Sequence, residues 1–220
     1  MNTPNDFYGV KGVAHLYQEQ EVKGEAKVSR FSFSEEKNPI YNLRIVRDCG
    51  LMFKVFTGEY VRLTVGGELV MSDTPMERYT NKEFLSKANG RVLIAGLGLG
   101  MIIENLKHNR DVKSITVVEK SQDVIDLISP KITVPNVKYI CADIFDWIPP
   151  VKEKYDTIYF DIWANISESN LKDMQILHNK FKGRLNREND KAFMNSWMKE
   201  YLRRRRNAER RDMYKYNLNY

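Results

Sequence analysis

The sequence predicts an α/β fold with a small antiparallel β-sheet, then an abbreviated doubly wound parallel sheet, and finally a helical C-terminus. Three observations support this prediction. Short apolar runs separated by turn residues occupy residues 26–71, strand-like and helix-like runs alternate over residues 91–161, and later apolar residues recur at helical spacing. At 220 residues, the chain is long enough for one main domain with a small appendage.

The first region, residues 1–80, is expected to hold the antiparallel sheet. Its predicted strands are a run around Val28–Phe33 and the runs Tyr41–Arg47, Leu51–Phe56, Tyr60–Val65 and Glu68–Met71. The Gly66-Gly67 pair between the last two runs is typical of a tight hairpin. A loop should follow, and then a short helix near Asn81–Lys87.

The second region, residues 81–165, alternates between the two kinds of element. The predicted strands are Val92–Ala95, Ser114–Val118, Val137–Cys141 and Thr157–Phe160, and the predicted helices are Met101–Lys107 and Gln122–Leu127, the latter capped by Ser121. Such alternation implies right-handed crossovers and a parallel sheet.

The third region, residues 166–220, carries two apolar stripes at helical spacing, one starting at Leu171 and one at Phe193. We therefore expect helices here and no further strand after Asp161.

A glycine-rich turn follows the first predicted parallel strand. Gly96, Gly98 and Gly100 alternate there just before a helix-compatible stretch. Glycines let the backbone approach a ligand closely, and a helix N-terminus offers free N–H groups. Glu119 ends the next strand, at a spacing where a carboxylate can accept hydrogen bonds from ribose hydroxyls. The turn and the carboxylate together indicate a nucleotide site.

Two further carboxylates end the third and fourth predicted strands. Asp143 follows the strand that ends at Cys141, and Asp161 follows Phe160. In open parallel sheets, ligands bind beyond the carboxyl ends of the strands. The glycine turn, Glu119, Asp143 and Asp161 should therefore line one crevice.

Four segments in this order resemble the motifs of class I S-adenosylmethionine-dependent transferases. They are VLIAGLGLG (92–100), VKSITVVE (112–119), NVKYICAD (136–143) and KYDTIYFD (154–161). The closest similarity is to the spermidine-synthase-like branch, which also has a small antiparallel sheet before the glycine motif, and the chain also resembles uncharacterised methyltransferase-like phage proteins. The resemblance covers roughly residues 40–165 and implies that residues 81–165 form a Rossmann-like S-adenosylmethionine-binding domain.

The resemblance also implies roles for individual residues. The cofactor would be S-adenosylmethionine or its decarboxylated form, held by Gly96, Leu97, Gly98, Gly100, Glu119, Lys120, Asp143 and Ile144. Asp161 would be the catalytic carboxylate that faces the transferred group and the acceptor. The acceptor side would include Asp73, Glu77, Tyr79 and Trp163. The chain departs from spermidine synthases at Leu99, where those enzymes carry an acidic residue.

Several functions are compatible with these motifs. The first is a methyltransferase whose acceptor lies near Asp161, and the second is an aminopropyl transferase that acts on a polyamine. The third is a non-catalytic methyltransferase-like module that binds its partner through a basic tail. A nicotinamide-binding enzyme fits less well, because the third glycine comes one residue earlier than in Gly-x-Gly-x-x-Gly.

The positive charge of the chain is confined to its C-terminus. Residues 191–220 contain nine Lys or Arg and three Asp or Glu, whereas the rest of the chain is neutral. Arg203, Arg204, Arg205, Arg206, Arg210 and Arg211, with the interleaved Tyr214, Tyr216 and Tyr220, could contact nucleic acid. The alternatives are an acidic protein partner or a solvated helix end.

Other classes of protein fit poorly. No apolar run approaches the ~20 residues of a membrane helix, and no secretory signal is visible. The two cysteines give neither a disulfide framework nor a metal-ligand spacing. We therefore expect a cytoplasmic protein without a metal site.

Overall fold

The structure, a computed structural model, describes residues 9–217, with side chains except at 48, 49, 52 and 212–217. Its two sheets have different designs, as the sequence predicts: one has four antiparallel strands and the other five parallel strands. The α/β fold class with a helical C-terminus is therefore confirmed.

The antiparallel sheet is a meander of four strands in sequence order. The strands are β1 (Gln20–Lys23), β2 (Ala26–Phe33), β3 (Gly58–Val65) and β4 (Glu68–Ser72). Gly66 and Gly67 join β3 to β4 with positive φ angles of 58° and 86°, so the predicted hairpin is confirmed.

Two predicted strands of the first region are wrong. Residues 41–47 belong to helix α1 (Pro39–Cys49), and residues 51–53 form a 3-10 turn. Pro39 occupies the first turn of α1, where its missing N–H costs nothing and its fixed φ suits a helix. The β-branched residues Ile40, Ile45 and Val46 favour a strand, whereas Pro39 favours the start of a helix, and the structure has the helix.

Helix α2 (Pro75–Lys87) connects the sheets and is longer than predicted, because it also begins with a proline, preceded by Thr74. The elements of the second sheet follow: β5 (Gly90–Ala95), α3 (Met101–Leu106), β6 (Val112–Glu119), α4 (Gln122–Ile128), β7 (Val137–Cys141), β8 (Thr157–Phe160), α5 (Asn170–Phe181), β9 (Phe193–Ser196) and α6 (Lys199–Asn217). The Ser121 side chain caps α4 by accepting from the Val124 N–H at 3.3 Å.

The parallel sheet has the order β7-β6-β5-β8-β9, so the chain reverses its direction of winding between β5 and β8. Ligands bind at such a switch point in open α/β sheets. The expectation that strands end at Asp161 is wrong, because β9 pairs with β8 from Thr157↔Phe193 to Phe160↔Ser196. The apolar pair Phe193 and Met194 therefore packs on a sheet edge rather than on a helix.

The core covers both faces of the parallel sheet. Val92 and Ile94 of β5 point into a cluster that extends to the antiparallel sheet, whereas Leu93 and Ala95 point into a cluster with α5. Strands buried on both faces have continuous apolar runs, as β5 does. Within residues 9–217, no helix is both long enough and apolar enough to cross a bilayer.

Candidate functional site

A cavity of about 460 Å³ lies at the carboxyl ends of β5, β6, β7 and β8. A volume of this order is typical of sites for small molecules. The parallel sheet contributes the residues that follow each strand, and the antiparallel sheet contributes an apolar wall. The sequence-predicted residues that line it are Gly96, Leu97, Gly98, Glu119, Lys120, Asp143, Ile144, Asp161, Trp163 and Glu77.

The glycine turn, residues 96–100, packs closely against Asp161 and Met71. Gly96 has a φ of 94°, and a Cβ there would overlap with the backbone carbonyl of Asp161. Gly98 has a φ of 52°, and a Cβ there would overlap with the Met71 sulfur. Gly100 lies just behind the cavity and precedes the first residue of α3. Both glycines that line the cavity are therefore favoured by their left-handed backbone, and Gly96 is also required by its close approach to backbone, whereas the Met71 side chain beside Gly98 can move.

Replacing Gly96 by Ala should unfold the turn locally and lower the free energy of unfolding by about 3 kcal/mol. The expected cause is twofold, since a left-handed φ strains an L-residue and the clashing atom is backbone, which cannot rotate away. Urea unfolding would measure the effect. Gly183→Ala is the matched control, because a Cβ at Gly183 meets no atom within 4 Å. Equal stability of the two variants would contradict this account.

Glu119 ties the glycine turn to β6. Its Oε2 accepts from the Leu97 N–H at 2.8 Å, and its Oε1 accepts from the Ser121 N–H at 2.9 Å. A carboxylate has about four lone-pair sites, so each oxygen keeps capacity for a further donor. Glu119 can therefore position the turn and still accept hydrogen bonds from a ligand in the cavity.

Asp143 lies beside Glu119 along the same edge. Its Oδ1 accepts from the Phe145 N–H at 2.9 Å, and its Oδ2 pairs with Lys120 Nζ at 3.0 Å. The hydrogen bond from Phe145, followed by Lys120, holds the pKa of Asp143 below its usual range. Asp143 is thus an acceptor at neutral pH, whereas Ile144 is buried and adds an apolar surface to the cavity wall.

Asp161 and Glu77 form a second, different carboxylate pair in the cavity. Burial raises the pKa of Asp161 to about 7. Burial, and then the nearby Asp161 carboxylate, raise the pKa of Glu77 to about 8. A pair of carboxyl groups that titrates near neutral pH can hold or move a proton, and such groups cluster at functional sites.

Only some of the residues predicted for the acceptor side line the cavity. Glu77 and Trp163 line the cavity, but Asp73 and Tyr79 lie outside its lining. Asp73 is fully buried and accepts from the N–H groups of Val13, Ala14 and Val61. Tyr79 lies two residues beyond Glu77 on α2, which turns it by about 200° to the opposite face of the helix.

Sequence reasoning missed the apolar wall and one acidic residue. Met71 and Val70 of β4 and Leu63 and Val65 of β3 line the cavity from the antiparallel sheet, and Asp173 lines it from α5. The alternation of apolar residues in β3 was a signal that one face of that strand is buried. Asp173 has no such signal, because its place depends on how α5 returns to the sheet.

Leu99 does not take part in the cavity. Its side chain is fully buried, and its carbonyl accepts from the Tyr17 hydroxyl at 2.7 Å. The position where spermidine synthases carry an acidic residue is therefore a core position in this chain.

The six arginines predicted for nucleic-acid contact lie on α6, outside this cavity. Arg206 is partly buried and the other five are exposed. Arg203 pairs with Glu200 at 3.4 Å and Arg205 with Glu209 at 3.0 Å. The side chains of Tyr214 and Tyr216, and the whole of Tyr220, lie outside the described residues.

Comparison with known proteins gives partial matches. No protein-family model matches the chain. Polyamine aminopropyltransferase 1 from Streptomyces coelicolor is 28% identical over 120 residues, which cover 48% of this chain and 23% of that protein. The matched part is thus less than a quarter of that relative.

Solved structures also match about half of the chain. The plantazolicin methyltransferase BpumL in complex with SAH is 20% identical, with a TM-score of 0.36, and the match covers 49% of this chain and 39% of that one. The N-methyltransferase NodS from Bradyrhizobium japonicum WM9 is 19% identical, with a TM-score of 0.39 and coverage of 51% and 64%. Over about half its length, the chain is therefore similar to a polyamine aminopropyltransferase and to methyltransferases of known structure.

Proposed function

We propose that this chain is an S-adenosylmethionine-dependent transferase, and specifically a methyltransferase whose acceptor binds beside Asp161. One observation carries the proposal: a single cavity brings together the glycine turn, two carboxylates at strand ends and a proton-holding carboxyl pair. The first two parts suit an adenosyl group, and the third suits an acceptor that must lose a proton.

The residues in the cavity fit such a cofactor. Gly96, Leu97 and Gly98 would hold its amino-acid end, Glu119 its ribose hydroxyls, and Asp143 with Ile144 its adenine. The fit rests on the spare lone pairs of Glu119, on the ionised Asp143 carboxylate and on the close-packed turn. When bound, the cofactor supplies an electrophilic carbon on a cationic sulfur.

The chemistry of the chain itself lies in positioning and in proton transfer. Transfer from a sulfonium needs a nucleophile with an available lone pair, aligned with the carbon–sulfur bond that breaks. Asp161 in its ionised form would accept the acceptor's proton, and Glu77 would hold a proton or a second cationic group next to it. Trp163 lies on the same wall and would pack against the acceptor.

Aminopropyl transfer is the second candidate. The similarity to a polyamine aminopropyltransferase favours it, and a carboxyl pair also suits a polyamine. The buried Leu99 disfavours it, because the position that is acidic in spermidine synthases offers no charge to the cavity. A non-catalytic module remains the alternative in which the cavity binds no cofactor.

Calorimetry with four ligands would test these proposals: S-adenosylmethionine, its demethylated product, its decarboxylated form and NAD. We expect the first two to bind. Glu119→Ala should lower the affinity for both of these ligands by about 10- to 100-fold, because the Leu97 and Ser121 N–H groups lose their acceptor. Gly98→Trp should abolish binding, because its side chain would displace Met71 from the cavity wall and strain the left-handed turn, whereas Glu188→Ala, at an exposed carboxylate, should leave binding unchanged.

The other outcomes are equally informative. Tight binding of the decarboxylated form alone would contradict the methyltransferase proposal and support aminopropyl transfer. Binding of NAD alone would overturn both. Binding of none, together with loss of function on removal of residues 203–220, would favour the non-catalytic module.

A further inference from the structure

A second cavity, of about 490 Å³, lies on the opposite face of α2 from the first. It is bounded by residues 79–86 of α2, by Asn195 and Ser196 at the end of β9, and by the first turns of α6. Glu77 faces the first cavity, whereas Tyr79 and Lys82 face the second. The two cavities therefore share a helix but no lining residue.

Three cations line this second cavity: Lys82, Lys199 and Arg204. Within the part of the chain that the structure describes, none of the three has a carboxylate within 4 Å. Lys199 is half-buried, and desolvation lowers the pKa of its ammonium group. A half-buried cation without a counter-ion favours an anionic ligand.

The two carboxylates of the lining, Glu83 and Glu200, offset these cations only in part, and Glu200 opposes the effect of burial on the pKa of Lys199. Glu83 pairs with Lys87 at 2.7 Å, and Glu200 pairs with Arg203 at 3.4 Å. Lys87 and Arg203 both lie outside the lining. Both carboxylates also contact cations outside the cavity, and the three cations of the lining outnumber its two carboxylates, so the lining carries a net charge of about +1.

A hydrogen-bonded chain of three residues orients two donors at the base of this cavity. Lys199 Nζ lies 3.3 Å from His178 Nδ1, and His178 Nε2 lies 2.9 Å from Ser196 Oγ. An ammonium group can only donate, so Nδ1 accepts and Nε2 carries the proton that it donates to Ser196. Burial, and then Lys199, lower the pKa of His178 to about 4, which keeps the imidazole neutral.

This arrangement leaves donors without acceptors. Ser196 is 2% exposed and already accepts from His178, so its own hydroxyl proton must be donated elsewhere, and the described residues provide no acceptor for it. Lys199 keeps two N–H donors beyond the one directed at His178. The first residues of α6, a helix of 19 residues, also line the cavity and add the positive end of its dipole.

We propose that this second cavity binds the phosphate group of a small phosphorylated ligand through Lys199, Ser196 and Arg204. A phosphate offers several acceptor oxygens and a negative charge, and the cavity offers several donors and a positive charge. The partly exposed ring of Tyr79 lines the same cavity and suits a ligand in which a heterocyclic base accompanies the phosphate, as in a nucleotide, whereas the ring of Tyr201 already contacts that of Phe53.

Calorimetric titration of the full chain with inorganic phosphate, uridine monophosphate and uridine would test this site. Phosphate and the nucleotide should bind, and uridine should not. Lys199→Gln and Arg204→Gln should each lower the affinity for the nucleotide by about tenfold or more, because each removes a charge-assisted hydrogen bond. Arg204 is exposed, so its variant should keep the thermal midpoint of the parent chain.

Two control variants separate this site from nonspecific charge and from the first cavity. Lys138→Gln removes an exposed cation elsewhere and should leave binding unchanged, as should Glu119→Ala. If a short single-stranded oligonucleotide competes with the nucleotide, the bound phosphate group belongs to a nucleic acid. If it does not compete, the ligand is a free nucleotide. Unchanged nucleotide affinity in Arg204→Gln, or equal weakening in Lys138→Gln, would overturn the proposal.

Discussion

Replacing Asp161 by Asn is expected to lower the transfer rate by about 100- to 10,000-fold, the range that a positioned general base contributes. Asn has the same shape but cannot take a proton. The affinity for S-adenosylhomocysteine should stay within a few-fold, because that product lacks the sulfonium charge that a carboxylate attracts. A rate assay on the acceptor found by screening, with calorimetry of the product complex, would separate the two effects.

The pH profile gives this prediction a specific signature. Because the pKa of Asp161 is about 7, the rate of the parent chain should rise as the pH increases through 7 and then level off. Glu77→Gln should keep this rise, since Glu77 has the higher pKa, about 8, and is still largely protonated and uncharged while Asp161 titrates. Asp161→Asn should lose it. A variant that is slow but retains the rise near pH 7 would assign the proton transfer to another group.

Stability provides a test that needs no acceptor. The pKa of Glu77 is about 8 in the folded chain and about 4.3 in the unfolded one, so the folded chain holds the extra proton between these values. Stability therefore falls as the pH rises through this window. Above pH 8, Glu77→Gln should be more stable than the parent chain by about 5 kcal/mol, and below pH 4 the two should agree. Urea unfolding at both pH values would measure this.

The parallel sheet was largely predictable from the sequence, and the reason is its burial. Thr157–Phe160 has the predicted bounds and is buried at all four residues, as a strand covered on both faces must be. The edge strand Val137–Cys141 also has the predicted bounds, although Lys138 and Cys141 are exposed. β9 is different, since Phe193–Ser196 contains no β-branched side chain and half of its residues are polar. Its pairing with β8 depends on tertiary contacts that a local pattern does not contain.

The candidate site was predictable where topology alone decides it. Glu119, Asp143 and Asp161 line one cavity because each follows a parallel strand, and such ends lie on one edge of the sheet. The acceptor side was less predictable, because Asp73, Glu77 and Tyr79 were assumed to share a loop. Recognising Thr74-Pro75 as a helix start would have placed Glu77 and Tyr79 on opposite faces of α2.

Asp73 is the acidic residue whose role the structure describes most differently from the expectation. Its Oδ1 accepts from the Val61 N–H at 2.8 Å, and its Oδ2 accepts from Val13 and Ala14 at 2.9 and 3.1 Å. Arg78, which is 1% exposed, lies 3.6 Å from the same oxygen. One carboxylate thus joins the N-terminal segment, β3 and the start of α2.

Asp73→Ala is therefore expected to lower the free energy of unfolding by about 3 to 5 kcal/mol, because it removes the acceptor of two buried N–H groups, those of Val13 and Val61, and of the partly buried Ala14 N–H, and it removes the carboxylate beside the buried Arg78. Asp73→Asn should lose less, since an amide oxygen still accepts. Asp190→Ala, at an exposed carboxylate, is the control and should change stability by less than about 0.5 kcal/mol. Urea unfolding measures all three. If Asp73→Ala instead kept full stability and lowered only the affinity for the acceptor substrate, the carboxylate would contribute to acceptor binding, as the sequence predicts.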